Sequence, residues 1–191
     1  YYENDSGSVT VMTQQWGLLV LEDRSHDFST VTSAEGTLEV MLNGENVTNA
    51  LESGKLAGLI DVRDNKIGAY LQALDDLAAT LVSRVNEQHA LGSDRDGVAG
   101  GDLFVPFVPP DPTSNAGAAR SIKVAITDPD RIAAAAAGAA AGNNENAKLL
   151  AAIADESLFG ASQTATQFLA ALVYRIGSDE KTAADEMITQ K

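Results

Sequence analysis

Apolar side chains recur at helical spacing over residues 54–91, and this pattern dominates the chain. From Ile67 onward the steps between large apolar residues are four, three, three, four and four, which place them on one face of a helix. Ser53 stands where an N-cap is expected, and Gly92 where a C′ glycine would end the helix. The stripe consists of Leu56, Leu59, Ile60, Ile67, Leu71, Leu74, Leu77, Leu81 and Val85.

A single helix of this length needs partners. Burying about ten large apolar side chains yields on the order of 15–30 kcal/mol, whereas ordering about 37 residues costs roughly 1–2 kcal/mol each. We therefore expect the stripe to pack against the later helices of the chain or against other subunits.

Residues 1–53 carry short alternating runs that predict β-strands at 7–12, 17–21, 28–32 and 37–42. Turn signals separate them, at residues 4–7 and at Asn43-Gly44, and together they indicate a small antiparallel sheet. Trp16 is interpreted as a core anchor of that sheet.

Residues 92–128 predict an irregular connection. Its glycines resist helix, residues 105–112 are proline-rich and extended, residues 113–120 suggest a mobile loop, and residues 121–127 alternate like a strand. Helices follow. Asp128-Pro129 is typical of a helix start, Asn143 or Asn144 caps a helix through Leu158, and Ser162 caps the next, which Gly177 bends or ends.

The predicted fold class is therefore α+β, an elongated helical bundle built on the 54–91 helix with an N-terminal antiparallel β subdomain. The expected domains are a β subdomain at 1–53 and a helical rod domain at 54–191, with the irregular connection at 92–128.

The net charge of the chain restricts the classes of partner that it can bind. Among 191 residues, 13 Lys and Arg face 27 Asp and Glu, which gives a net charge of −14. That balance argues against nucleic-acid and anionic-membrane partners. The absence of cysteine excludes disulfides and thiol chemistry, and no apolar run is long enough to span a membrane. Because the chain opens on Tyr1 without an initiator Met, we interpret it as a fragment.

Candidate chemistry is sparse, and we predict no catalytic residue, no cofactor and no metal. Asp94-Arg95-Asp96-Gly97 fails the EF-hand spacing and reads as a turn. His89 lies on the apolar face, where a hydrogen-bonded histidine fixing the helix end is favoured over a catalytic one. The neighbours Asp75 and Asp76 point about 100° apart, so they do not form an acid–base pair.

The run from Gly54 to Phe104 resembles the flagellar hook-associated protein 1 family, in its Gly-x-Leu-x-Gly-Leu start, its Arg-Asp pair and its Asn-x-x-His-x-x-Gly-x-Asp-x-x-Gly-x-x-Gly end. Looser matches at 7–20, 128–133, 142–144 and 172–177 follow the family order. We interpret this family motif as structural. The residues that match it are Gly54, Leu56, Gly58, Leu59, Arg63, Asp64, Asn86, His89, Gly92, Asp94, Gly97, Gly100 and Phe104.

The resemblance implies an extracellular structural subunit that forms a ring between flagellar hook and filament, without a catalytic role. Its implied partners are copies of itself, the hook protein, the second hook–filament junction protein and an export chaperone that binds a C-terminal segment. In the family, terminal segments drive polymerisation. Because this chain lacks matches to them, we expect an isolated monomer.

Two alternatives stay open. A secreted binding module or hydrolase with a helical stalk would need a polar pocket near His89, Asp94 and Asp96. Another axial component, such as the hook protein or flagellin, is a weaker alternative, against which the Asn86-to-Phe104 motif argues.

Overall fold

We describe the fold from a computed structural model, in which residues 1–3, 9–13, 17–21, 24–34, 36–140, 142–160 and 162–189 are described. The chain divides into two compact units, a first unit of Tyr1–Ile67 and a second unit of Gly68–Lys191. The predicted turn at residues 4–7 and the predicted anchor Trp16 lie outside the described residues. The predicted domain limits at 53 and 54 stay a prediction.

The first unit contains two antiparallel sheets, not the single one expected. The four strands predicted from alternation are confirmed, and short two-residue strands extend both sheets. At the predicted turn, Asn43 (φ 54°) and Gly44 (φ 83°) both adopt left-handed backbone, the geometry of a tight hairpin. The first sheet is β1 (Tyr2–Glu3), β2 (Val9–Thr13), β3 (Gly17–Leu21) and β4 (Arg24–Ser25), and the second is β5 (Phe28–Thr32), β6 (Leu38–Leu42) and β7 (Glu45–Asn46), each in chain order.

A small apolar core closes the first unit. Val40, Leu42 and Val47 are buried, and Leu19 and Ile60 are among the half-buried side chains packed on them. These residues come from both sheets and from the first turns of the long helix. In β6 the alternation read from sequence points Val40 and Leu42 inward, whereas β5 is exposed along its length.

The long helix is confirmed: backbone is helical throughout residues 54–90, as α1 (Gly54–Asp61), a π-helical stretch (Val62–Ile67) and α2 (Gly68–Ala90). Ser53 holds the N-cap position, although its side chain makes no capping bond.

The sequence predicts that the apolar stripe packs against later helices of the chain or against other subunits, and most of the first half of the stripe is exposed within this chain. Leu56, Leu59, Ile67 and Leu71 are exposed, whereas burial within α2 starts at Ala78.

Three helices of the second unit pack on α2: α3 (Ala118–Ser121), α4 (Glu145–Ala152) and α5 (Ala165–Thr189). Tyr70 near the start of α2 bonds Asp179 late in α5. Near the other end of α2, Arg84 Nε and Nη2 each lie 2.7 Å from a carboxylate oxygen of Glu156, shortly before α5. The helices α2 and α5 are therefore antiparallel.

Of the predicted caps, one is confirmed and one is wrong. Asn143, one of the two candidates for the start of α4, supplies the capping bond: its Oδ1 accepts from the Glu145 amide at 3.0 Å, and the Asn144 side chain makes no such bond. Thr164 and Gln167, not Ser162, form a reciprocal capping box, with bonds of 3.0 and 3.3 Å. Gly177 does not end α5, which continues to Thr189; a single glycine inside a helix costs only about 1 kcal/mol relative to alanine.

The connection at 92–128 is irregular as expected, but the strand predicted at 121–127 is wrong. A single bridge joins Phe104 to Val124, and the chain before it forms α3. The alanine-rich segment forms a two-residue strand, β9 (Ala135–Ala136), which pairs with β8 (Gly92–Ser93). The helix start at Asp128 is confirmed for one 3₁₀ turn (Pro129–Arg131).

Within the described chain, no helix combines the length and apolarity that crossing a membrane requires.

Candidate functional site: the polar cluster at the end of the long helix

The second half of the sequence motif comes together where α2 ends. We call this group the helix-end cluster; it comprises Asn86, His89, Gly92, Asp94, Gly97, Gly100 and Phe104.

His89 is the centre of the cluster and is fully buried. Its Nδ1 lies 2.7 Å from the Gly101 carbonyl oxygen, and its Nε2 lies 2.9 Å from the Ala133 amide nitrogen. A backbone amide can only donate, so Nε2 accepts and the ring proton is on Nδ1, which donates to Gly101. The prediction that this histidine is hydrogen-bonded within the fold is confirmed.

Two glycines let the backbone approach this histidine. A Cβ on Gly100 would lie 2.6 Å from Ala133 Cβ and closer still to the His89 carbonyl oxygen. A Cβ on Gly92 would lie 2.7 Å from the Ala133 oxygen and would also collide with Asn146. Gly92 follows the end of α2 as predicted, but its backbone is extended in β8 and not in the left-handed conformation typical of a C′ glycine. Close approach is the reason that a glycine fits there.

Asn86 ties the returning chain to the helix. Its Nδ2 donates to the Phe104 oxygen at 2.8 Å, and its Oδ1 accepts from the Phe104 amide at 2.9 Å. The side chain thus pairs with the backbone as a neighbouring strand would, which fixes the point where the chain leaves the cluster.

Asp94 organises the turn that follows the helix. Its Oδ1 accepts from the amides of Asp96, at 3.0 Å, and Val98, at 2.8 Å, and its Oδ2 accepts from Arg131 Nη1 at 3.0 Å. The Asp94 side chain is 3% exposed and that of Arg131 52% exposed. With Gly97 in left-handed backbone (φ 78°), this is the Asp–Gly turn that the sequence predicts.

Residues from later in the chain complete the cluster, and the sequence interpretation missed them. Gln88 Nε2 donates to Asn146 Oδ1 at 2.8 Å, and Asn146 Nδ2 donates to the Ala133 oxygen at 2.6 Å. Gln88 and Asn146 are both buried. Gln88 could have been identified from the sequence, because it is a polar residue on the apolar stripe. No local pattern identifies Asn146.

Asp75 and Asp76 have a structural task that their spacing did not reveal. Asp75 accepts at 2.8 Å from the amides of both Gly117 and Ala119, and Asp76 Oδ1 accepts from Asn115 Nδ2 at 2.8 Å. The segment expected to be a mobile loop is thereby held on α2.

The first half of the motif lies in the first unit and forms a separate group. Arg63 makes a two-bond ion pair with Asp64, at 2.5 and 2.8 Å, and donates from Nη1 to the Leu38 oxygen at 2.7 Å. The Arg63 guanidinium lowers the pKa of the Asp64 carboxyl. Gly54 has φ 80°. Leu56, Gly58 and Leu59 are exposed.

The geometry of the cluster favours bracing over catalysis. Both His89 ring nitrogens are engaged by backbone, and every buried side-chain nitrogen or oxygen in the described residues has a partner. A nearby cavity of about 600 Å³ is lined by Asp94, Asp96 and Asp130, but His89 does not line it. Groups of three or more potential metal-ligating side chains are absent from the described part of the chain.

Comparison with known proteins gives one family. The sequence model of the flagellar hook-associated protein FlgK helical domain matches residues 1–104. No curated protein matches the chain. The matched region spans more than half of the chain and includes every motif residue. The chain therefore belongs to the FlgK family of flagellar hook-associated proteins, structural components of the extracellular axial structure of the bacterial flagellum.

Proposed function

We propose that the chain is a packing subunit of the ring that joins hook to filament, and that the helix-end cluster is the brace that keeps its second unit rigid. The observation that supports this most is the use made of His89, whose two ring nitrogens hold two backbone segments, at Gly101 and Ala133. A subunit that transmits torque needs such fixed points, because an unbraced helix end frays.

The same observation weighs against the hydrolase alternative. A general base must reach the proton that it abstracts, directly or through one water. The His89 ring is enclosed, and its accepting nitrogen already receives the Ala133 amide. Both side-chain oxygens of the nearby Asp94 already accept hydrogen bonds, Oδ1 from the amides of the turn and Oδ2 from Arg131.

In this proposal the partners are copies of the chain around the ring, the hook protein on one side and the second junction protein on the other. The net charge of −14 supports protein partners over nucleic acid. The motif residues of both units are proposed to act structurally, as braces and turns.

Localisation in the encoding bacterium tests the proposal. An affinity tag in the native protein, detected by gold-labelled antibody in electron micrographs, should mark one narrow band between hook and filament. Deletion of the gene should leave hooks without filaments and release filament protein into the medium. Label along the whole filament, or intact filaments after deletion, would contradict the proposal.

A further inference from the structure

The hairpin turn between β6 and β7 carries a pair of residues that can react with each other, Asn43 and Gly44. Both are exposed, and Leu42 pairs with Glu45 across the turn, so the loop contains these two residues alone. Asn43 is the one asparagine of the sequence that a glycine follows. Because glycine has no Cβ, its amide nitrogen can approach the asparagine side chain closely. This is the arrangement from which an asparagine loses its side-chain amide.

Neither reacting group is held by the fold. Among the described residues, the Asn43 side chain makes no hydrogen bond, and the Gly44 amide donates none. A Cβ placed on Gly44 would meet nothing within 4 Å, so the attacking nitrogen lies in open space. Asn43 has left-handed backbone (φ 54°), and the reaction requires the turn to open from it. A ladder with a two-residue strand, β7, offers little resistance to such local opening.

The other place where Asn or Asp precedes glycine, Asp96-Gly97, shows the opposite arrangement. The Gly97 amide donates to the Asp94 carbonyl oxygen at 3.1 Å, and the Asp96 amide donates to Asp94 Oδ1 at 3.0 Å. That turn is therefore fastened on both sides of the reacting side chain. A carboxylate also has no ammonia to release. The comparison singles out Asn43.

We propose that Asn43 is a site of spontaneous deamidation. The Gly44 nitrogen attacks the side-chain carbonyl carbon of Asn43. A carbon–nitrogen bond forms, the bond from that carbon to Nδ2 breaks, and Nδ2 leaves as ammonia with the proton of the Gly44 amide. One water then opens the five-membered imide at either carbonyl, which gives aspartate or isoaspartate. Each conversion consumes one water and releases one ammonia, and it needs neither an oxidant nor a cofactor.

The isoaspartate product changes the hairpin, because its main chain runs through Cβ and is one carbon longer. Loop length fixes the register of a hairpin, and both residue pairs of the β6–β7 ladder follow this turn directly. Just beyond them, the Val47 amide donates to the Val40 carbonyl oxygen at 2.8 Å. Val40, Leu42 and Val47 form the buried core of the first unit. Conversion therefore loosens that core over time.

Ageing of the purified 191-residue chain tests the site. The chain is kept for weeks in mildly alkaline buffer, which promotes loss of the Gly44 amide proton, and is then digested for mass spectrometry. Isoaspartate at residue 43 should exceed isoaspartate at every other asparagine. Hydrogen exchange at the Val40 and Val47 amides should become faster as the converted fraction grows. A synthetic peptide of residues 38–48, aged in parallel, should convert faster than the chain, because it has no turn to open.

Two variants of the same residue provide matched controls. Asn43→Gly keeps the left-handed turn and has no side-chain amide, so its exchange rates should stay constant during ageing. Freshly prepared Asn43→Asp carries the new charge without the additional main-chain carbon. Its exchange rates should equal those of fresh wild-type chain, which would attribute the loosening to isoaspartate.

The proposal is overturned by an unconverted chain beside a fully converted peptide, or by larger conversion at another asparagine. Equal loosening of aged Asn43→Gly, or faster exchange in fresh Asn43→Asp, would contradict the effect assigned to the product. All of these readouts are made on the isolated chain, so none depends on where the labelled band lies on the flagellum. Failure of the modification site and failure of the proposed function are therefore distinguishable.

Discussion

The start and the end of the long helix differ in which kinds of side chain are buried. At the start, Leu56 and Leu59 are exposed and glycine Gly58 has open space around it. At the end, Asn86 and His89 are buried. Apolar groups lie outside at one end and polar groups lie inside at the other.

This difference in burial determines how strongly substitutions at each end of the helix should affect stability. The buried side chains of Asn86 and His89 are tolerated because each bonds backbone amides or carbonyls that would otherwise be unsatisfied. Exposed leucines at the start contribute little to the free energy of unfolding of the isolated chain. Substitutions should therefore be costly at the end of the helix and mild at its start.

The largest loss is expected from His89→Ala. The variant leaves the Gly101 carbonyl and the Ala133 amide buried without a partner and opens a cavity. The free energy of unfolding should fall by about 3–5 kcal/mol, measured by urea denaturation followed by circular dichroism. The control is His26→Ala, which should change it by less than about 0.5 kcal/mol. A loss below about 1 kcal/mol for His89→Ala would mean that the ring is not a brace.

The second largest effect is expected from Gly100→Ala. The free energy of unfolding should fall by about 3 kcal/mol, because the added methyl group collides with the His89 carbonyl and with Ala133. Gly101→Ala is the matched control, because nothing lies within 4 Å of its added Cβ. At the other end of the helix, Gly58→Ala also meets nothing within 4 Å and should raise stability by up to about 1 kcal/mol. Similar losses at Gly100 and Gly101 would remove the contrast between the two ends.

A smaller loss, about 1–2 kcal/mol, is expected from Asp94→Asn. The amide oxygen can still accept from the turn, but the charge opposite Arg131 is lost. Asp96→Asn, two residues away on an exposed side chain, should change stability by less than about 0.5 kcal/mol. Hydrogen exchange at the Val98 amide should rise in the first variant and not in the second.

The smallest effect is expected from acid at the pair Arg84 and Glu156. Bonds from Arg84 lower the pKa of the Glu156 carboxyl below its ordinary value of 4.5. The pair therefore adds stability above that value and loses it as pH falls through the lower, folded-state pKa. Between pH 7 and pH 3 the wild-type urea midpoint should fall further than that of Glu156→Gln. Parallel curves would show that the pair contributes nothing.

Much of the fold could be predicted from local pattern. Alternation gave the strands, and Asn43-Gly44 fixed their turn because only a few residues tolerate left-handed backbone. Helical periodicity gave the long helix. The covering of its stripe could not be predicted, since packing depends on which later elements reach it; Leu71 stays exposed while Ala78 is buried.

The site could be predicted in part. His89 and Asn86 stood out as polar side chains beside an apolar stripe, and Asp94 as the acid of a glycine turn. The role of Gly92 was misjudged, because its constraint comes from Asn146, which is 54 residues away in sequence. Asp75 and Asp76 were judged by their mutual spacing, whereas their partners at 115–119 are backbone and amide groups that no local pattern links to them.

The central claim is that His89 is a fixed brace, and the tautomeric state of its ring tests that claim most directly. Long-range ¹H–¹⁵N NMR of the ring should show a proton on Nδ1 that exchanges slowly with solvent, and an unprotonated Nε2 coupled across the hydrogen bond to the Ala133 amide. A ring protonated on Nε2, or one whose Nδ1 proton exchanges freely with water, would contradict the account.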